Sequence, residues 1–541
     1  MSRLVLFIAA FTAAAFFVLD DERAAATTFC VPTFSAACAN AGGNVAEPDL
    51  EKAMNTNGSD GVADQVFVAA GTVSENGSFE PSGGFKDPGS FEPTGSDPLT
   101  VVGAGRGVTF LTSAGTGNIF LLALGSGSAR AITLKDLTVQ IPTTFTDNGG
   151  AAVQLFAKDV LERIEIVSLN PGSDAVTGTG VGNIVRDVQV RAAGSGSVAD
   201  GFSVNSMNGE LTVEDSRLEG ASWGLVSAAA GATLTARRVT ETGTRTYGAI
   251  ATSGTLRIEN SVFGIDDGIA LYATAVSTDA LLRADHLTAR NSGGATNPAM
   301  ELRRLSNGPG KMDIVVSDSI LRDFGSGYRI EAAAGPGIGP ASLTVRYSNF
   351  AKTGTGIGVL DLATGNIDAD PLFNPDLSLP PASPSIDAGD PAGGGLTTDF
   401  LGAPRPNDGN GDGVAVRDQG AFEYQRPAPP LPPAELPTSG SPEPGGGGGP
   451  ASNPDRVAPQ TRLKPGLGGK LAEGTVKLRF LADESGATFT CKLDRGKVRP
   501  CRSPKSYTGL AAGRHSFKVW ATDAAGNRDA TPAKRRFRIP G

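Results

Sequence analysis

A degenerate eight-residue phrase recurs through the middle of the chain and constrains the fold more than any other feature. Its clearest copies are LTVEDSRL from Leu211 and LRIENSVF from Leu256, in which apolar and polar residues alternate. When the copies are aligned, their fifth residues lie 22 to 32 positions apart. These fifth-place residues are Asp136, Arg163, Asp187, Asp215, Arg238, Asn260, His286, Asp318 and Tyr347. A repeat of this length indicates a solenoid, in which each repeat forms one coil.

A second apolar stretch follows the phrase in many coils and begins near a glycine. The examples are DGFSV from Asp200, WGLVSA from Trp223, YGAIAT from Tyr247, DGIALY from Asp267 and GIGVLDL from Gly356. Each coil is therefore expected to contain at least two short strands. Alternation with period two predicts that apolar phrase residues such as Leu211, Val213 and Ile258 face inward. Because one strand cannot bury such a face alone, the coils are expected to stack on their neighbours.

The phrases with their glycine-led second strands resemble the coils of right-handed parallel β-helix proteins, the pectin-lyase-like superfamily, over about residues 45–425. DLEKAMN from Asp49, followed by DQVFVAAGTV from Asp64, resembles the capping helix and first strand of such solenoids. The stretch from Ser383 to Tyr424 resembles the closing segment of secreted bacterial β-helix proteins. The resemblance implies an all-β fold, with a capped right-handed parallel β-helix over residues 27–425.

The N-terminus has the features of an export signal. Arg3 precedes the 16-residue apolar run LVLFIAAFTAAAFFVL, and Ala24 to Ala26 offer small residues for cleavage. Residues 1–26 are therefore predicted to be a signal peptide. The run is shorter than the roughly 20 residues that a spanning helix needs, although an uncleaved anchor is the alternative. No membrane span is expected after signal removal.

The four cysteines form two local pairs along the sequence. Cys30 lies near Cys38, and Cys491 lies near Cys501. Proximity favours these two disulfides among the three possible pairings, and free thiols in a cytosolic protein are the alternative. Together with the export signal, the cysteines predict a secreted, extracellular protein associated with the cell surface or cell wall. A monomer is expected.

The composition changes after the predicted solenoid. Residues 426–454 are rich in Pro and Gly without apolar periodicity, which predicts an interdomain linker. Residues 455–541 contain short alternating stretches such as TVKLRF, TFTCKL and HSFKVWATD, which predict strands. FTCKLDRGKVRPC with SPKSYTGLAAGRHSFKVWATDAAGN resembles immunoglobulin-like or fibronectin III-like modules of secreted bacterial proteins. That resemblance implies a C-terminal β-sandwich.

Charge is divided unevenly between the two parts. The final module has 8 Lys and 11 Arg against 7 Asp and Glu, a net charge of +12, so the remainder carries −21 to give the overall −9. A basic module favours an anionic partner such as a cell-wall polymer or an acidic polysaccharide, and a solvated spacer is the alternative. Nucleic acid is disfavoured, because export is predicted and aromatic residues do not interleave with the basic ones.

An array of alternating oxygen ligands in the closing segment resembles the start of an EF-hand calcium loop. Its ligands would be the side chains of Asp408, Asn410 and Asp412, which precede Gly413, and the carbonyl of Val414, which follows it. The twelfth position is Gln419 rather than Glu, so Asp418 would have to substitute for it. The array predicts a calcium ion with a structural role, and an Asp/Gly turn without metal is the alternative.

Two sets of residues are weak candidates for catalysis. Asp266 and Asp267 resemble the paired aspartates of polygalacturonases. The other acid that such a site would need, Asp200, lies three coils earlier. At about 4.8 Å per coil, the carboxyl groups would be roughly 14 Å apart, whereas the two carboxyl groups of an inverting glycosidase are about 6.5 to 9.5 Å apart. These acids are therefore not expected to act together.

The second candidate set would serve a lyase, which uses acids on adjacent coils beside a basic residue. Its members are Asp187, Asp215 and Arg238, on three successive coils. Aspartate at the fifth place is equally explained as a turn residue. His286 is expected to be a turn or surface residue. With only two His in the chain, Ser-His and His-metal chemistry are poorly supported.

These observations predict a binding or structural protein rather than a clear enzyme. Long parallel faces suit an extended polysaccharide as the ligand, although the scarcity of aromatic residues weakens that interpretation. The alternative is a polysaccharide lyase or glycoside hydrolase acting on an acidic polysaccharide. A surface row of aromatic residues would favour binding, and carboxylates clustered with an Arg would favour catalysis.

Overall fold

The structure is a computed structural model, and its chain divides into two compact units, residues 1–426 and residues 427–541. It describes residues 28–32, 38, 45–46, 50–55, 63–75, 97–113, 122–124, 131–141, 151–169, 174–192, 198–294, 296–332, 335–362, 364–393, 395–426, 458–463, 476–482, 484, 487–511, 513–523 and 525–539. The predicted signal peptide, residues 1–26, lies outside the described residues, as does the predicted linker apart from Arg426.

The first unit is a solenoid whose strands form two parallel sheets, named here sheet A and sheet B. Among the described residues, sheet A contains 21 strands, at Thr28–Val31, Val45–Ala46, Asp64–Val68, Gly71–Glu75, Leu99–Gly103, Thr109–Ser113, Ile132–Ile141, Val160–Ser168, Asn183–Arg186, Gln189–Ala192, Glu210–Glu214, Arg217–Glu219, Thr233–Arg237, Thr240–Thr244, Gly254–Ile265, Ala280–Asn291, Met312–Ser317, Ile320–Arg322, Ala341–Arg346, Asn349–Phe350 and Val359–Asp361. Sheet B contains ten, at Leu122–Leu124, Ala151–Leu155, Asp174–Gly178, Val198–Val204, Ala221–Ser227, Tyr247–Ala251, Ile269–Ala273, Pro298–Arg303, Ser326–Glu331 and Gly354–Ile357. The predicted parallel β-helix is confirmed.

The fifth residue of the phrase forms a corner within sheet A in each coil. All nine fifth-place residues have a positive φ, between 46° and 58°. This left-handed conformation costs a residue other than glycine roughly 1–2 kcal/mol, and Asn and Asp adopt it most readily. The prevalence of Asp and Asn at this place therefore follows from the backbone, and its interpretation as a turn position is confirmed.

The serine after the fifth place joins successive corners. Each hydroxyl accepts a hydrogen bond from the sixth-place amide of the preceding coil, at 3.0 to 3.2 Å, and donates to the carbonyl two residues upstream, at 2.7 to 2.9 Å. These serines are Ser216, Ser261, Ser319 and Ser348. Because the chain turns there, these amides need a partner other than the strand ladder. The fifth-place residue and the serine after it, Asp-Ser, Asn-Ser or Tyr-Ser, thus supply both the turn and that partner.

Apolar residues on the inward side of sheet A stack in register from coil to coil. One row consists of Leu211, Leu234, Leu256, Leu282, Ile314 and Leu343, all at most 1% exposed. Burying one such side chain contributes roughly 1.5–3 kcal/mol. The inward orientation predicted from the alternation, including that of Val213 and Ile258, is confirmed.

The N-terminal cap agrees with the prediction except in its first strand. A helix at Leu50–Asn55 buries Leu50, Ala53 and Met54 in the core. The strand Asp64–Val68 was predicted to be the first, but it pairs with an earlier strand at Thr28–Val31. That strand is only four residues long, too short for its alternation to stand out. Within the described residues, no helix is long and apolar enough to cross a membrane.

The last predicted second strand, GIGVLDL, is divided between the two sheets. Gly354–Ile357 pairs with sheet B, whereas Val359–Asp361 pairs with sheet A. The chain changes sheet between these strands, at Gly358. A continuous apolar stretch conceals this corner because no polar residue marks it.

The closing segment, residues 383–424, packs against the corners of four coils. Its contacts include hydrogen bonds from Asn260 Nδ2 to the Thr398 carbonyl (2.6 Å), from the Gly420 amide to the Asp318 carbonyl (2.7 Å), from the Ala421 amide to Thr288 Oγ1 (2.8 Å) and from Asn349 Nδ2 to Ser385 Oγ (3.0 Å). Phe422 also packs on Val262. Within it, Arg405 Nε lies 2.9 Å from Glu423 Oε2, and both side chains are fully buried.

The second unit consists of antiparallel sheets around a small core. Thr461–Leu463 pairs with Phe480–Ala482, and Val476–Leu478 pairs with Lys505–Tyr507. A four-stranded sheet, named sheet C, is ordered Arg499–Cys501, Thr488–Leu493, Gly513–Thr522 and Ala533–Ile539. The sheets share a buried cluster that includes Phe480, Phe517 and Phe537. Both predicted disulfides, Cys30–Cys38 and Cys491–Cys501, are confirmed.

An acidic side chain lies in the core of the solenoid. Glu241 is fully buried, in register with Leu218 and Phe263, and Thr244 Oγ1 lies 3.3 Å from its Oε2. A Cβ at Gly224 would meet its carboxylate oxygens at 2.4 Å, so the glycine provides the necessary space. Burial raises the pKa of Glu241 well above its usual value. Burial therefore favours the protonated form of this carboxyl.

We predict that the corner conformation can be measured at Asp215, whose carboxylate forms an ion pair with Arg238. Asp215→Asn and Asp215→Val both remove this ion pair, but only valine is strained at positive φ. Valine is therefore expected to be less stable than asparagine by about 1–2 kcal/mol, because of the left-handed backbone. Urea-induced unfolding of the two variants measures the difference. Equal stability would contradict the left-handed conformation assigned to residue 215.

We also predict that Glu241→Gln stabilises the protein at high pH. The unfolded chain ionises Glu241 near its usual pKa, about 4.5, whereas the folded chain does not, so the unfolding free energy of the wild type falls as the pH rises. The variant's advantage is expected to be absent near pH 4 and to grow by about 1.4 kcal/mol per pH unit above pH 5. Urea titrations across this range measure it. A difference that does not vary with pH would refute the assignment of a protonated carboxyl.

Candidate functional site

Side chains on the outer face of sheet B form rows along the solenoid. One row consists of Asp200, Trp223, Tyr247 and Ile269. A second, parallel row consists of Ser203, Val226, Ile250, Tyr272, Glu301 and Arg329. Because the strands pair without offset here, neighbours in a row lie about 4.8 Å apart. Residues more than 20 positions apart in the sequence are thus brought together.

Three aromatic residues of these rows lie in contact on three successive coils, and we name them the aromatic ladder: Trp223, Tyr247 and Tyr272. The ring centroids of Trp223 and Tyr247 are 6.0 Å apart, and those of Tyr247 and Tyr272 are 4.4 Å apart. The tyrosine rings pack on an apolar patch that includes Val226 and Ile250. Trp223 is 37% exposed, and Tyr272 is buried. The ladder therefore offers an aromatic surface that is fixed by its own packing.

A cavity of about 230 Å³ lies beside the aromatic ladder. Its wall contains Tyr247 and Ile269 and five charged residues, Arg245, Asp267, Glu301, Arg303 and Arg329. Charged and polar groups thus converge beside an aromatic ring, where one molecule could contact both kinds of surface.

The charges around the cavity are partly fixed by ion pairs. Both nitrogens of the Arg329 fork contact the buried carboxylate of Glu301, at 3.1 and 2.7 Å. Arg303 lies 3.1 Å from Glu331, yet its side chain is 49% exposed. Arg245 is exposed, and its guanidinium group has no hydrogen bond or ion pair within the described part of the chain. Arg245 and Arg303 therefore keep donors available for a ligand.

The two tyrosines of the ladder stay protonated at neutral pH. Burial, together with the neighbouring Tyr247 and Glu301, raises the pKa of Tyr272 to about 12. Burial also raises the pKa of Tyr247. Each phenol is therefore neutral and retains its proton, and the aromatic ladder adds no negative charge to the site.

The structure places one predicted catalytic residue at this cavity. Asp267 lines it and accepts a hydrogen bond from Thr296 Oγ1 at 2.7 Å. Asp266 is exposed in the same turn. Asp200 lies three strands away from the strand that follows Asp267. The successive pairings are those of Asp200, Trp223, Tyr247 and Ile269. The separation of three coils deduced from the sequence is thus present in the fold.

The predicted lyase residues lie at corners of sheet A. Asp187 is bound by Arg106 at 2.6 Å. The two oxygens of Asp215 are bound by Arg238, at 2.7 and 2.9 Å. Both carboxylates are therefore engaged by guanidinium groups. A catalytic role for Asp187, Asp215 and Arg238 stays a prediction.

The predicted calcium residues form an exposed turn stabilised by its own amides. Asp408 accepts hydrogen bonds from the Gly411 and Gly413 amides, and Asp412 accepts one from the Val414 amide. The Asn410 side-chain oxygen accepts one from the Asp412 amide. The contacts of Asn410 and Asp412, each with the amide two residues on, are those of Asx turns. Calcium binding by the loop stays a prediction.

Asp418 lies in a different environment from the rest of that array. It is buried, and its carboxylate accepts hydrogen bonds from the backbone amides of Asp387 and Tyr424. Burial, reinforced by the nearby Glu423, raises its pKa to about 8. In the described residues, Asp408, Asp412 and Asp418 do not meet as a group of three with ligand atoms within 4.8 Å.

His286 was expected to be a turn or surface residue, and only the first part is correct. Its φ is 53°, as at other fifth places, but the residue is buried. The reason is the closing segment, which covers this corner and begins about 100 residues later in the chain.

Sequence reasoning also missed the aromatic ladder. Its signal is the similar spacing of Trp223, Tyr247 and Tyr272, which are 24 and 25 positions apart.

No protein-family model matches this chain, and no curated protein matches it either. Among solved structures, the catalytic unit of a GH87 α-1,3-glucanase from Streptomyces thermodiastaticus is 16% identical with a TM-score of 0.36, covering 57% of this chain and 64% of that chain. The A-module of mannuronan C-5 epimerase AlgE6 from Azotobacter vinelandii is 14% identical, with a TM-score of 0.37 and coverage of 57% and 91%. Pectate lyase Pel9A is 10% identical, with a TM-score of 0.36 and coverage of 74% and 97%. Scores this low carry no argument about what this chain binds.

Proposed function

We propose that the solenoid binds an extended polysaccharide along the outer face of sheet B. The observation that carries the proposal is the aromatic ladder beside the charged cavity, on one face and on successive coils. The apolar faces of sugar rings pack on aromatic rings, while their hydroxyl and carboxylate groups bond to nearby polar side chains. Arg245 and Arg303 supply such donors.

The direction of the rows supports a polymer rather than a single sugar. Neighbouring side chains repeat about every 4.8 Å along the solenoid. A linear ligand lying across the strands therefore contacts side chains of several coils, and weak contacts add up. The preformed packing of the ladder reduces the entropy that binding would otherwise cost.

The proposal includes a secreted protein that is held at the cell surface. The two disulfides support an oxidising compartment. In sheet C, Lys492, Lys518 and Lys534 lie directly opposite one another on three adjacent strands. Like charges opposite each other are destabilising unless an anion neutralises them. An anionic cell-wall polymer would provide this neutralisation.

The second candidate function is catalysis on an acidic polysaccharide. It is favoured by the two carboxyl groups, Asp267 and Glu301, that share one cavity with three arginines. Against it, Glu301 is buried and tied to Arg329 by two contacts. Binding is therefore the function that the site supports best.

We predict that Trp223→Ala weakens binding of a polyuronate by roughly tenfold, because it removes the exposed aromatic surface. The matched control is Trp520→Ala, since Trp520 is the other tryptophan of the chain and lies in sheet C. Affinity electrophoresis or calorimetry against acidic and neutral polysaccharides measures the effect. Equal loss in both variants, or none in Trp223→Ala, would contradict the proposed location.

The same polyuronate samples distinguish binding from catalysis. Unsaturated product is followed by its ultraviolet absorbance, and reducing ends are followed for hydrolysis. We expect binding without product. Product formation that is lost in Asp267→Asn would favour the enzyme instead and would assign Asp267 a catalytic role.

We predict that replacing Lys492, Lys518 and Lys534 with Gln lowers retention on bacterial cell walls roughly tenfold at low salt, because the row loses its charge. The control removes the same charge from the neighbouring hairpin, at Arg495, Lys497 and Arg502, all exposed. Co-sedimentation with walls that carry or lack anionic polymers measures retention. Equal losses in both triple variants would show that net charge, rather than this row, determines attachment.

A further inference from the structure

The corner of sheet A beneath the closing segment brings together three side chains that bind metals in other proteins. Asp285 and His286 occupy the fourth and fifth places of one phrase, and Asp318 occupies the fifth place of the next. One ligand atom from each can be chosen so that all three lie within 4.8 Å of one another. No other such group of three is found in the described part of the chain.

The histidine of this group is enclosed and incompletely bonded. Its side chain is only 3% exposed, and its Nδ1 lies 2.8 Å from Asp285 Oδ1. Its Nε2 is buried and has no hydrogen-bond partner. A buried polar atom without a partner costs about 1–3 kcal/mol and therefore requires an explanation, of which a bound ion is one.

The two carboxylates are held in place by their own contacts. Ser317 Oγ donates to Asp285 Oδ1 at 3.2 Å. The Asp390 amide of the closing segment donates to Asp318 Oδ1 at 2.6 Å. Carboxylates that bind metal ions in proteins are themselves held by hydrogen bonds from neighbouring groups. The cluster thus has both the donor atoms and their supports.

The charges around the cluster also favour a cation. Two arginines of the closing segment, Arg405 and Arg417, act on Asp285. The acids of this neighbourhood outnumber them, and they are Asp285, Asp318, Asp390, Asp418 and Glu423. Asp318, Asp418 and Glu423 are buried, and buried carboxylates are costly unless counter-charge is supplied. A divalent ion supplies it at the point where two of these acids meet.

We propose that Asp285, His286 and Asp318 bind one divalent transition-metal ion, with Zn²⁺ as its probe. One imidazole and two carboxylates suit zinc, whereas the hard cations calcium and magnesium prefer oxygen ligands alone. The site joins two coils, and its Asp318 is bonded to the closing segment. The ion therefore fastens the closing segment to the solenoid, a role separate from binding at sheet B.

The test is zinc binding by the full chain, stripped with a chelator and measured by calorimetry in excess calcium, which occupies oxygen-only sites. One zinc per chain is expected. His286→Asn should weaken zinc binding by more than about 100-fold, since removal of mere supporting partners already costs 10- to 100-fold. Asparagine suits the corner, because Asn260 occupies the same place on the preceding coil. Asp318→Asn is the second variant.

His515→Asn is the matched control, since it removes the other histidine of the chain and also breaks a contact with an aspartate, Asp494. It should still bind one zinc. X-ray absorption of this zinc-loaded control gives a readout that does not depend on the folding of the His286 variant, and one imidazole with oxygen ligands is expected. Oxygen ligands alone, no zinc uptake by the wild type, or unchanged affinity in His286→Asn would each overturn the proposal.

Discussion

In-register parallel hydrogen bonding between successive coils is the constraint on which the rest of the structure depends. Strands Gly254–Ile265 and Ala280–Asn291 pair at every position except the fifth place, where Asn260 lies beside His286. Each residue is thereby fixed above its equivalent in the preceding coil. The inward rows form the core, and the outward rows form the surfaces that a ligand meets. A chain with this constraint needs no other device to align side chains more than 20 residues apart.

The fifth place is where that constraint is relaxed, and its chemistry shows how. The chain turns there through a residue in the left-handed conformation. In several coils a serine hydroxyl of the next coil accepts the backbone amide hydrogen bond at this corner. The corner needs only a tolerated φ and a hydrogen-bond acceptor. Its side chain is therefore the least constrained of the phrase. Arg238 and Tyr347 occupy the same conformation as Asp215, which explains why the repeat is degenerate at this place.

The sequence predicted what lies within one coil and much less of what lies between distant segments. Alternation identified the inward residues, such as Leu211 and Ile258, because strand geometry alone decides which face they occupy. The local cysteine pairs were predictable for a similar reason. The ladder of Trp223, Tyr247 and Tyr272 required the register of sheet B, which glycine-rich corners of variable length conceal. The burial of His286 required a contact with a segment that the repeat does not encode.

The closing segment faces a problem that repetition creates. Neighbouring coils present nearly the same backbone at their corners, so a segment docked by backbone bonds alone fits almost equally well one coil higher or lower. What differs between coils is the fifth-place side chain, and the closing segment forms hydrogen bonds with two of these side chains. Asn260 Nδ2 donates to the Thr398 carbonyl, and the Asp390 amide donates to Asp318 Oδ1. The buried pair of Arg405 and Glu423 reinforces this choice, because Arg405 also lies 3.3 Å from Asn260 Oδ1. Both members of this pair belong to the closing segment, so a slip by one coil would keep the ion pair but would place Arg405 beside Arg238 or His286 instead of Asn260. The polar cluster under the closing segment is therefore better explained as the determinant of its register than as a source of net stability.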